Sequence, residues 1–319
     1  MTVNASGRFL VVCLNPTMQK TLVFESFMVN EVNRVVEERL DASGKGVNVA
    51  RVLVQSGEDA VHLTHLGGDT RAEFERLCRE DGVPLEVVAC DTPIRMCTTA
   101  VDRAAHTTTE IVEPTKPVST ATEAALLNRY EMLLQGVSTV IFSGTAAPGY
   151  SVDLYARMTM AARDAGAFVI ADYRGAMLKE TLRNEPHHRP QVIKPNLREF
   201  AETFLTVGLT TVSEHADDPD TLREVRNQME TRAREGITTV LTRGANPVLA
   251  VDPVAPATLI ECAPLALTPV NTIGCGDAFT AGLAAELAGG GILRDAIERG
   301  HAMAAMNAGQ LKPGSIRPE

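Results

Sequence analysis

The sequence predicts an α/β fold: a mostly parallel sheet covered by helices on both faces, with a smaller β-sheet attached. Three observations carry this. From about residue 117 onward, helical and strand-like stretches alternate, the pattern of a parallel sheet joined by crossover helices. The strand-like runs, 139–142 (TVIF), 167–171 (AFVIA), 191–193 (QVI) and 238–241 (TTVL), are short and apolar throughout, as strands buried on both faces must be. Earlier segments, 20–29, 33–41, 94–101 and 107–113, instead alternate polar and apolar residues, as half-exposed strands do.

Taken in order, the chain opens on the apolar run from Phe9 to Leu14, broken by Asn15-Pro16. The four alternating segments make two excursions, about 18–41 and 92–115, that serve either as a lid over a site or as an ordinary sheet extension. Between them Gly44-Lys45-Gly46 starts a helix with Val49, Val52 and Leu53 on one face. Thr120 and Glu123 fit a capping box ahead of Leu126, Leu127, Tyr130, Leu133 and Leu134. Further helices are expected near 151–165, 176–184, 196–206 and 219–235. Phe279, Leu283 and Leu287 recur at helical spacing among alanines until Gly289-Gly290-Gly291 stops the run. No internal repeat or low-complexity tract interrupts residues 1–319, and an α/β chain of this length is expected to form one domain.

With 30 basic and 40 acidic residues the net charge is −10, which argues against nucleic acid or an anionic membrane as partner. The run at 9–14 is too short for a signal-peptide core or a membrane span, so a cytoplasmic protein is expected. The six cysteines (13, 78, 90, 97, 262, 275) form no CxxC pair and have no histidine at metal spacing; reduced thiols are expected. Cys275 stands apart, because a helix N-terminus should lower its pKa.

In an open parallel sheet, ligands bind beyond the carboxyl ends of the strands. Those positions hold Ser143-Gly144, Asp172, Lys194-Pro195-Asn196 and Thr242-Arg243-Gly244, every one of them polar or glycine. The stretch NTIGCGDAFTAGL, 271–283, places a carboxylate after a turn of almost no side chains, at a helix start. One reading is a tight turn whose acidic residue suits the helix dipole. The other is an anion-holding nest of amides beside a general base. Walker-type and dinucleotide fingerprints, metalloprotease motifs and nucleophile elbows are missing from the sequence.

These pieces together resemble the PfkB (ribokinase-like) carbohydrate kinases, most closely the 1-phosphofructokinase and tagatose-6-phosphate kinase branch. The likeness runs nearly end to end: LNPT (14–17), NRVVEERLDASGKGVNVARVL (33–53), LGGDT (66–70), TTEIVEP (108–114), SGTAAPG (143–149), KPNLRE (194–199) and NTIGCGDAFTAG (271–282). It implies a three-layer α/β/α body with a β-sheet lid, ATP and Mg2+ as cofactors, and a homodimer formed through the lid. It implies Asp277 as catalytic base, with the amides of Gly274, Cys275 and Gly276 as anion hole. Gln19, Gly44, Lys45, Asn48 and Arg95 would bind the sugar. Lys194, Asn196, Thr242, Arg243, Gly244 and Asn307 would serve ATP, and Glu199 would act on magnesium through water.

Four positions depart from the branch pattern. Gln19 stands where an aspartate usually accepts from two sugar hydroxyls, Ser43 where a second glycine is usual, and Cys275 where alanine is. Arg95-Met96-Cys97-Thr98-Thr99 lacks the branch lysine at position 99. A hexose phosphate, first of all fructose 1-phosphate, is the expected acceptor. Tagatose 6-phosphate, fructose 6-phosphate, an unphosphorylated sugar, a nucleoside, or a low-activity sugar-phosphate sensor are the alternatives. Because an amide carries two N–H donors, Gln19 is expected to demand an acceptor atom from the sugar or a bridging water.

Overall fold

A computed structural model describes residues 7–205, 213 and 218–318. Its centre is a nine-stranded sheet. The first strand, β1 (Arg8–Val12), sends Phe9 and Val11 to one face and Leu10 and Val12 to the other, all without exposed surface. Beside it lie β4 (Ala60–Leu66) and then β5 (Leu85–Ala89); on its other side run β8 (Val137–Ser143), β9 (Phe168–Asp172), β10 (Val192–Ile193) and β11 (Thr238–Arg243). Every neighbouring pair from β5 to β11 is parallel, whereas β12 (Asn246–Val251) and β13 (Ile260–Cys262) complete the edge antiparallel.

The two faces of β1 begin two separate cores. Phe9 and Val11 pack with α1 (Lys45–Gln55), α2 (Arg71–Glu80), α8 (Cys275–Ala288) and α9 (Leu293–Ala308). Leu10 and Val12 pack with α3 (Thr120–Leu133), α4 (Leu154–Asp164) and α5 (Ala176–Thr181). A third cluster joins α6 (Leu197–Phe204) and α7 (Pro219–Arg234) to β11 and β12. This is the predicted α/β architecture, with helices on both faces of a mostly parallel sheet. The expected helix at 196–206 ends at Phe204, and residue 206 lies outside the described residues.

The smaller sheet has four strands in the order β3-β2-β6-β7: β3 (Glu37–Ser43), β2 (Thr17–Phe24), β6 (Arg95–Asp102) and β7 (Thr107–Val112). β2 starts earlier than expected, at Thr17, because it leaves the end of β1 almost directly. One cap is also displaced. Ser119, not Thr120, caps α3 by accepting from the Thr122 amide, while the Glu123 carboxylate turns away to bind the Ser151 amide and hydroxyl and Arg157. The expected capping box therefore does not form.

Candidate active site

The carboxyl ends of the parallel strands, the small sheet and the start of α8 enclose a cavity of about 1120 Å³. That exceeds the roughly 300–1,000 Å³ of a single small-molecule site, so two ligands can share it.

The turn before α8 is built by backbone constraints. Gly274 caps the helix in the left-handed region (φ 84°), and a Cβ there would sit 2.4 Å from the Gly314 nitrogen, so only glycine fits. Asn271 holds the turn from below, donating to the Leu311 carbonyl (2.8 Å) and accepting from the Ile273 amide (3.0 Å). The Cys275 amide donates to the Thr272 carbonyl at 3.3 Å, which weakens its expected share in an anion hole. The Gly276 and Asp277 amides stand in the first helical turn, where no intrahelical acceptor exists. The Cys275 pKa is raised, not lowered. Burial of the thiol outweighs the Asn307 hydrogen bond, and the nearby Asp277 adds to the rise.

Asp277 is 7% exposed and accepts at Oδ2 from Asn48 Nδ2 at 2.8 Å. Burial pushes its pKa up to about 7, against the opposing influence of Lys45 and Asn48. A carboxylate with that pKa is suited to exchange a proton at neutral pH. Both Lys45 and Asn48 come from the first turn of α1, which Gly44 opens at φ 109°.

Lys45 Nζ lies 3.0 Å from Glu199 Oε1 and 3.6 Å from Asp172 Oδ1, and Lys194 Nζ lies 3.5 Å from the same Asp172 oxygen. Burial alone would lower the Lys45 pKa, but Asp172, Glu199 and Asp277 together hold it above the ordinary range. Burial would likewise raise Glu199; Lys45, the Asn196 amide and Lys194 instead bring it down to about 2. Asn196 and Glu199 form a reciprocal capping box at the start of α6, their side chains each bonding the other's amide. Glu199 thus has Oε1 on Lys45 and Oε2 on the Asn196 amide. Among the described residues no group of three or more His, Cys, Asp or Glu gathers as a metal cage.

At the small-sheet end, Gln19 Nε2 donates to Thr99 Oγ1 at 2.6 Å, and both side chains are buried. One of the two Gln19 N–H donors is therefore already satisfied within the protein, and the expected demand for an acceptor from the sugar or a bridging water falls to the other. Arg95 and Glu110 also line this end. At the opposite end Thr242 and Gly244 line the cavity, while the Arg243 side chain is buried at 5% outside it. Asn307 is a correction too. The α9 helix faces the cavity through His301, Ala304, Ala305 and Ala308, whereas Asn307 is fully buried behind the turn. Its amide donates to the Ile273 carbonyl (3.0 Å) and Cys275 Sγ (3.3 Å) and accepts from the Ser315 amide.

Two features of the site escaped sequence reasoning. Asp172, visible only as a polar strand end, accepts from Thr280 (2.9 Å) and Ser143 (3.3 Å) while facing both lysines. Val248, Leu265, Leu267, Pro269 and the α9 alanines add an apolar part to the cavity lining, and no local pattern announces it.

Residues 10–319 match the family described as pfkB family carbohydrate kinase. The 1-phosphofructokinase of Rhodobacter capsulatus is 30% identical over 292 residues, covering 86% of this chain and 82% of that protein. The crystal structure of a possible 1-phosphofructokinase from Thermotoga maritima superposes with a TM-score of 0.82 at 23% identity, covering 96% of this chain and 93% of its own. The tetrameric inhibited form of phosphofructokinase-2 from Escherichia coli gives 0.78 at 21% identity, with 95% and 94% covered.

Proposed function

Because the chain belongs to the pfkB family of carbohydrate kinases, and so is a phosphotransferase with an alcohol acceptor, we propose that it phosphorylates a hexose phosphate with ATP. Fructose 1-phosphate, converted to fructose 1,6-bisphosphate, is the acceptor we assign. The observation that carries this reading is Asp277: a buried carboxylate of near-neutral pKa at a helix start, lining a cavity large enough for sugar and nucleotide.

In this reading the sugar lies against Gln19, Gly44, Lys45, Asn48 and Arg95, beneath the small sheet as lid. The nucleotide base occupies the apolar part of the cavity beside α9. Asp277 takes the proton of the attacking hydroxyl as the sugar oxygen bonds to the γ-phosphorus and the bond to the β-phosphate oxygen breaks. The Gly276 and Asp277 amides, with Gly274 shaping the turn, hold the phosphoryl oxygens as negative charge moves across them. Lys194, Asn196 and Thr242 line the path of the phosphates. Glu199 would hold magnesium through water, and the ion when bound would supply charge neutralisation on those phosphates. The lid also carries exposed Met28, Val29, Val32 and Ile111, the apolar surface on which we base a homodimer through the lid.

A second reading, an unphosphorylated sugar or nucleoside as acceptor, is favoured by two observations. Position 99 offers a hydroxyl bonded to Gln19, and Arg95 shares its end of the cavity with the carboxylate Glu110. ADP release in a coupled assay separates the readings, using fructose 1-phosphate, fructose 6-phosphate, tagatose 6-phosphate, free hexoses and nucleosides. Highest kcat/KM with fructose 1-phosphate is expected. Preference for an unphosphorylated acceptor would establish the second reading, and no turnover with any would refute both.

A further inference from the structure

Arg51 has no exposed surface, and none of the roles above involves it. A buried guanidinium must be desolvated and is tolerated only when its N–H groups are matched. Here Nε donates to Asp81 Oδ2 (2.8 Å), Nη1 to both Asn48 Oδ1 (3.1 Å) and the Pro313 carbonyl (2.9 Å), and Nη2 to the Ala42 carbonyl. These partners belong to the end of α2, the first turn of α1, the segment after α9, and β3 of the lid. Asp81 is shared with Lys312, which also lies 3.6 Å from Asp41.

Asn48 connects this arginine to the reacting centre. Its Oδ1 accepts from Arg51 and from the Ser43 hydroxyl (3.2 Å), and its Nδ2 donates to Asp277. Rotating the amide by half a turn would set N–H against guanidinium N–H, and carbonyl oxygen against carboxylate. Ser43 cannot forbid that rotation, because a hydroxyl serves equally as donor or acceptor. Arginine only donates and does not lose its proton in proteins.

We propose that Arg51 is a positioning residue for phosphoryl transfer: it locks the Asn48 amide so that Nδ2 holds Asp277 Oδ2, leaving the other carboxylate oxygen for the hydroxyl proton. The proposal rests on the reading of Asp277 as general base. The charged groups around Asp277 are Lys45 from α1, Asp172 from β9 and Lys194 after β10. None of these reverses its polarity by turning; Asn48 does. Its N–H favours the ionised carboxylate, so a freed amide lets the Asp277 pKa climb.

Arg51→Lys keeps the charge, but its single nitrogen pairs with Asp81 and leaves Asn48 Oδ1 without the donor that Nη1 supplies. We expect KM for ATP near wild type, kcat down by about tenfold or more, and the acid limb of kcat shifted up by about one pH unit. The 13C resonance of the Asp277 carboxyl, assigned by its loss in Asp277→Asn, should titrate at the same higher pH. That readout needs no turnover, so a chain inactive on every sugar would sink the proposed function while the relay stays testable. Asp81→Asn leaves the Arg51–Asn48 bond in place; it should lower Tm without moving either midpoint. A folded Arg51→Lys with both midpoints at their wild-type values would overturn the proposal. If that variant does not fold, Arg51→Met with Asp81→Leu removes both charges together, with the same expected shifts. Independently of any variant, an atomic-resolution structure of the wild type with Asn48 Nδ2 turned toward Arg51 would refute it.

Discussion

Replacing Asp277 by asparagine should cripple the reaction and strengthen the fold, and the second effect has a computable pH dependence. The carboxyl pKa rises from an ordinary 3.8 to about 7 on folding, chiefly through burial. Sign matters here. A raised folded pKa means the native state binds the proton more tightly than the unfolded state, so this group's stability contribution is complete below about pH 3.8. It is then lost as pH rises, until both states are ionised above about 7. The shift is about 3 units, and at about 1.36 kcal/mol per unit the ceiling of the loss is about 4 kcal/mol. About 1.6 kcal/mol of it is already lost at pH 5, so about 2–3 kcal/mol falls between pH 5 and pH 8. Asparagine keeps the shape and an oxygen for Asn48, but has no charge to bury. Urea unfolding of wild type and Asp277→Asn at both pH values, compared as differences, cancels every other titrating group. The variant should gain about 2–3 kcal/mol relative to wild type on going from pH 5 to pH 8. Its turnover should fall about a hundred- to ten-thousandfold, with ATP binding largely retained. A stability difference that is the same at both pH values would mean the carboxylate is not held in the low-dielectric setting described. Near-normal turnover would remove its role as base.

Cys275 should alkylate slowly near neutral pH and faster as the medium becomes alkaline, since burial keeps the thiol protonated; mass spectrometry after iodoacetamide treatment reads the rate. ATP-magnesium should slow it further, and an unchanged rate under saturating nucleotide would displace the phosphoryl group from this turn. Gln19→Asp should change the ratio of kcat/KM among fructose 1-phosphate, tagatose 6-phosphate and fructose 6-phosphate by about five- to a hundredfold, because the Thr99 hydroxyl must then donate where it now accepts. Equal ratios in wild type and variant would mean the Gln19–Thr99 pair does not face the sugar.

The residues that were legible in advance are those whose chemistry is local. Gly274 and Gly44 announce turns that only glycine can make, and Lys45, Asn48 and Asp277 follow them within one helical turn. The apolar runs of β8, β9, β10 and β11 could be read because both of their faces are buried. The antiparallel pair β12 and β13 could not, since one is joined to β11 by a two-residue turn at Gly244-Ala245 and the other spans only Ile260–Cys262. Asp172 was visible as a polar strand end, but its role depends on lysines that only the tertiary fold brings to it. Asn307 misled for the opposite reason. A polar residue in the helix beside the cavity reads as a ligand contact, yet backbone groups of the turn and of Ser315 claim both ends of its amide.

The contact between Asn48 and Asp277 joins positions 229 residues apart, and that between Arg51 and Pro313 joins positions 262 apart. Closures of such span are slow and late in folding. Synthesis is vectorial, so the Gly44–Asn48 loop and most of the large sheet leave the ribosome before Asp277 and its turn do. On the proposed roles, a nascent chain ending before residue 271 holds the loop assigned to the sugar but not the carboxylate assigned to its proton. With Asp277 as the proposed base, catalytic competence requires residues 271–316 to have docked against α1. The first appearance of turnover during synthesis or refolding would time that event directly.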